Sequence, residues 1–155
     1  MVNRVDGVFP PPWPLPNVWI GVSVEDQATA DERIPKLLSL PAAVRFISFE
    51  PALGPVDFWP FFSDIDRYGD PSGPADPMPD WVIIGGESGR GARPCDIGWL
   101  RQASAQCEEA GVPVFMKQTG SRPMQGTEKY EVTGKGGNPL EWPEDLRIRQ
   151  WPGEA

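Results

Sequence analysis

Three glutamates stand at the ends of apolar runs: Glu25 after VWIGVSV, Glu50 after VRFISF and Glu87 after WVIIGG. Carboxylates gathered at one site can bind a cation, hold an ammonium ligand or work as an acid–base pair. Brought close, they repel one another and need a cation, hydrogen-bond donors or raised pKa values. Lys117 and Arg93 are the cations in this sequence expected to meet that need. The plainer alternative is that the glutamates cap the following helices or pair with Arg and Lys, with no ligand involved.

Other chemistry is narrowed by what the chain lacks. It contains no histidine, which excludes a Ser-His-Asp triad, a Cys-His pair and a histidine-ligated zinc site within it. Its two cysteines, Cys95 and Cys107, cannot build a four-cysteine zinc site or hold an iron–sulfur cluster that needs three or four thiolates. Both are expected to be reduced and structural. No catalytic residue, metal ligand or resident cofactor is therefore assigned.

The elements that must position the glutamates are four runs rich in β-branched and aromatic residues: Val18–Glu25, Val44–Glu50, Trp81–Glu87 and Val112–Gln118. They are apolar enough to be covered on both faces, which predicts parallel strands packed by helices. DQATADERIPKLLSL, between the first two, has helical spacing, with Pro35 expected to kink the helix or mark its start. DIGWLRQASAQCEEAG, between the last two, reads as a helix closed by Gly111. Strand, helix, strand repeated predicts an α/β fold: a partial (half) parallel β/α barrel of about four strands in chain order.

In such a sheet all C-terminal strand ends lie on one edge, where ligand sites form. Alternation puts Gly21, Ser23 and Glu25 on one face, with Phe46, Ser48 and Glu50 and with Ile83, Gly85 and Glu87 matching them. The candidate ligand-binding residues are thus Ser23, Glu25, Glu50, Gly85, Gly86, Glu87 and Lys117, with Ser23, Ser48 and the Gly85-Gly86 pair opening space beside the carboxylates. GGESGRG lacks the spacing of a P-loop or dinucleotide fingerprint. The seven tryptophans read as core or loop anchors rather than a stacking platform.

Around this core, residues 1–16 form a proline-rich, extended lead, 17–120 the half barrel, and 121–155 an irregular tail with a small hairpin of Tyr130–Val132 and Arg147–Gln150. Phe58 to Ile65 reads as a short helix and Tyr68 to Asp80 as a loop. A net charge of −8, from 22 acidic against 14 basic residues, argues against direct nucleic-acid binding and suits a basic partner. No run approaches the roughly 20 apolar residues of a membrane helix, and a cytoplasmic location is expected.

The blocks NVWIGVSVEDQATADERIPKLL, AAVRFISFEPALGPVD, WVIIGGESGRGARP, GVPVFMKQTG and EDLRIRQWP, running from Asn17 to Pro152, resemble the phage gene-product 37/68 family. These uncharacterised phage and bacterial proteins are similar to radical-SAM enzymes. The resemblance implies another half, with a three-cysteine motif for a [4Fe-4S] cluster and the first barrel strands, which this sequence does not contain. By that likeness Ser23 and Glu25 would face the ribose or methionyl part of S-adenosylmethionine, Glu50 would lie beside them, and Gly85, Gly86 and Glu87 would line the adenine side. Reductive cleavage is not expected without the cluster, although the cofactor could still bind.

Two functions follow as expectations. One is a phage-derived, non-catalytic binding protein that inhibits a basic host defence protein such as a CRISPR effector. The other is a subunit or remnant of a split enzyme completed by a cluster-bearing chain. Open strand edges make a partner or a homo-oligomer an expectation of both.

Overall fold

A computed structural model describes residues 13–62 and 77–153. Four strands, β1 (Trp19–Val24), β2 (Val44–Phe49), β3 (Trp81–Gly85) and, after the short β4 (Cys95–Asp96), β5 (Val114–Gln118), carry the fold. β1, β2, β3 and β5 make one parallel sheet in that order, open rather than closed into a barrel. All its strands run the same way, so Glu25, Glu50 and Glu87 follow strand ends on the same edge.

Helix α1 (Gln27–Leu38) starts at a capping box in which the Asp26 carboxylate accepts from Thr29 N–H at 2.9 Å and the Asp26 N–H donates back to Thr29 Oγ1. Pro35 neither starts nor ends it. The cap fixes the start well upstream, and Ala30, Ile34 and Leu37 anchor the helix in the core past the hydrogen bond that Pro35 cannot donate. Helix α2 (Ile97–Ala110) is capped by the Asp96 side chain and stopped by Gly111, whose φ of 70° suits glycine.

The two helices pack on the sheet face carrying Val24, Ile47, Phe49, Val82, Ile84, Val114 and Met116, all buried with Ile34, Leu37, Ile97, Leu100 and Cys107. The opposite, inner face is graded along the strand direction. Trp19, Phe46 and Trp81 form its lower layer, with Trp151 stacked on Trp81 at 5.0 Å and Phe115 edge-on to both. Ser23 and Ser48 come next, and the glutamates stand at the top. Tryptophans 81 and 142 are buried as anchors, but Trp19 and Trp151 are 44% and 45% exposed.

The tail differs from its expected form. Its hairpin is β6 (Pro123–Gln125) with β7 (Glu128–Lys129), turned at Gly126 with φ of 62°, and β6 also pairs with β4. Arg147–Gln150 does not pair with Tyr130–Val132; it runs antiparallel beside β5 instead, where Met116 N–H donates to the Ile148 carbonyl and Gln150 N–H to the Val114 carbonyl, both at 2.8 Å. Unpaired groups at a sheet edge are a stronger demand than a local hairpin between polar segments. Between Phe58 and Ile65, a single 3-10 turn spans Trp59–Phe61; residues 63–65, the loop as far as residue 76 and the extended lead up to residue 12 lie outside the described residues.

Candidate functional site

The seven candidate residues cluster at the C-terminal ends of the sheet strands, and each glutamate there has its own cation. Glu25 follows β1 and accepts from Arg33 at 3.0 Å; the same guanidinium donates to the Ser23 carbonyl at 2.7 Å. Glu50 follows β2 and is the least exposed, with 13% of its side chain accessible. Lys117 Nζ lies 3.0 Å from one of its oxygens and 3.1 Å from the other, and Gln118 Nε2 donates at 3.3 Å. Glu87 accepts from Arg93 through both backbone N–H and guanidinium, the shortest contact being 2.7 Å.

These bonds set the electrostatics. The Arg93 guanidinium, and after it the Arg93 N–H, holds the Glu87 carboxyl below the usual carboxylate range. Glu87 in turn raises Arg93, and the field of Glu25 adds to that shift. Three carboxylates and three cations therefore form an internally neutralised rim. Among the described residues, no three carboxylate, thiol or imidazole side chains converge to hold a metal ion.

Gly85 and Gly86 allow a close approach of the backbone at the end of β5. A methyl group on Gly86 would run into the Thr119 carbonyl, and one on Gly85 would lie 3.1 Å from the Gln118 carbonyl. The space that a glycine pair was expected to open is filled by Gln118 and Thr119 at the end of β5, the stretch that also brings Lys117 and Gln118 to Glu50. Gly86 N–H donates to Gln118 O, and Gln118 Nε2 to Gly86 O. Sequence reasoning named Lys117 and Arg93 but missed Arg33 and Gln118; a lone arginine on the helix that follows a glutamate-ended strand is the signal for the first.

The thiols stand apart from the rim chemistry. Cys95 and Cys107 are free and buried, and burial pushes both up to about 12, far from thiolate formation at neutral pH. A shallow hollow of about 580 Å³ opens at the opposite ends of the strands, lined by Val44, Asp80 and Pro113 among others, with Asp80 held by the Arg45 N–H. It holds none of the candidate residues, and the chemistry-bearing groups point to the rim rather than to this hollow.

The model of one protein family, described as protein of unknown function (DUF5131), matches residues 1–142. The chain belongs to that family. No curated protein and no solved structure matched it. Among the described residues of this DUF5131 chain, no helix is long and apolar enough to cross a membrane.

Proposed function

We propose that this chain is a phage-derived binding protein with no catalysis of its own, an inhibitor of a basic, nucleic-acid-binding host defence protein such as a CRISPR effector. The observation that carries this reading is the contrast between rim and inner face. The rim's charges are neutralised within the chain, whereas the inner face leaves accessible both Trp19, half-exposed within the aromatic layer, and Ser23 above it. Aromatic anchors with adaptable hydroxyls are the composition of a recognition surface. A net charge of −8 steers such a surface to a basic partner. Titrating the purified chain into a CRISPR effector–guide complex should block target-DNA binding, with an apparent affinity that falls as salt rises. Unchanged DNA binding and no association across a panel of such effectors would overturn the reading.

A second reading is favoured by the placement of three glutamates at neighbouring strand ends, where α/β folds keep ligand sites. In it the chain is a subunit of a split radical-SAM-like enzyme, and a cluster-bearing chain adds strands beside β1. The rim would then hold S-adenosylmethionine, Glu50 pairing with its ammonium and the neighbouring carboxylates accepting from ribose hydroxyls. Equilibrium dialysis with labelled S-adenosylmethionine tests it: binding by the unaltered chain that Glu50→Gln weakens would favour this reading over the inhibitor.

A further inference from the structure

The two outer edges of the sheet are treated differently by the chain. β5 is covered from Val114 to Met116 by Ile148–Gln150, and the Gln150 side chain and Arg149 add bonds to Val114 N–H and the Met116 carbonyl. On β1, among the described residues, no strand pairs on the side away from β2. Its local contacts are a turn bond from Val18 N–H to Leu15 O and the Arg33 guanidinium on the Ser23 carbonyl. Open edges are normally guarded by charges, prolines or bulges. Val18–Val24, VWIGVSV, has none of the first two, and its register with β2 is unbroken.

We infer that β1 pairs with β1 of a second copy, antiparallel and centred on Gly21, to give a two-fold dimer with one continuous eight-stranded sheet. This inference is independent of the inhibitor reading. The segment is self-complementary in that register. On the helix side Val18 meets the partner copy's Val24, and Ile20 meets its Val22, all β-branched residues of the kind that stabilise cross-strand pairs. On the inner side half-exposed Trp19 lies opposite exposed Ser23, and Gly21 opposite itself. A shift of one residue would put inner-face residues opposite helix-side ones. No charge falls within the paired segment, so two chains of net charge −8 meet there without a directly opposed like pair. Because β5 is already covered, pairing at β1 closes the assembly and cannot propagate.

Sedimentation velocity should find the unaltered chain at twice the mass of one copy. Trp19→Lys with Ser23→Lys places like charges opposite each other twice across the dyad, and dimerisation should weaken at least about tenfold. Trp19→Lys with Ser23→Glu places opposite charges there and should restore it. A strict monomer for the unaltered chain, whatever else covers β1, overturns the inference, and so do two double variants of equal behaviour. Should the lysine variants lose their native circular dichroism, Trp19→Cys with Ser23→Cys decides the matter. Oxidation should then link one chain to one partner while the buried Cys95 and Cys107 stay reduced; no link, or a ladder of higher species, refutes the pairing.

Discussion

The charged rim and the uncharged edge of β1 belong to the same sheet but are completed in opposite ways. At the rim every glutamate finds a cation of the same chain, and Gly85 and Gly86, at the end of β3, let the end of β5 come close enough to supply one of them. Along β1, among the described residues, no strand pairs on the outer side and Trp19 stays half-exposed. Satisfied charges lose little by staying as they are, whereas an open edge gains hydrogen bonds and apolar contact from a partner.

The rim half of this comparison breaks most easily at Gly86. Gly86→Ala drives a methyl into the Thr119 carbonyl and should cost more than about 4 kcal/mol, seen as loss of cooperative unfolding. A mild change would mean that the end of β5 does not hold the rim together. Next comes Glu50→Gln, which leaves Lys117 without its carboxylate; denaturant titration should give a loss of about 1–3 kcal/mol.

Acid should loosen the same region in a definite direction. Glu87 is held below the usual range by Arg93, and Asp145, on the tail, by Arg101 of α2. Their stabilisation is full above the pKa of the unfolded chain and is lost as pH falls through the lowered folded values. The melting temperature should therefore drop below about pH 4, and Glu87→Gln with Asp145→Asn should flatten that limb. An unchanged acid limb would detach both pairs from stability. Smallest is the effect expected on the open side. Ser23→Lys, at an exposed inner-face position, should change the intrinsic stability of the chain by no more than about 0.5 kcal/mol, measured in urea at a concentration where the chain is monomeric.

Much of the sheet was legible in the residues. Alternation and end glutamates located all four strands, their order and their common edge, and Gly111 marked the end of α2, because each is a local pattern. Long-range choices were not legible. Nothing in RIRQ shows that it will lie beside β5, since a short polar strand takes its place from an edge that needs covering. The close approach of Gly86 to Thr119 likewise depends on two loops far apart in sequence. Arg33 reaches Glu25 only because the capping box at Asp26 fixes the direction in which α1 turns back along β1.

On the proposed reading this chain acts by binding, with no radical chemistry of its own. Anaerobic reconstitution with iron and sulfide, followed by absorbance and a search for 5′-deoxyadenosine after adding S-adenosylmethionine and a reductant, tests it most directly. With only Cys95 and Cys107 to offer, both buried and far from thiolate formation, the chain should take up no cluster and release no 5′-deoxyadenosine. A cluster assembled on this chain alone, together with cofactor cleavage, would contradict it.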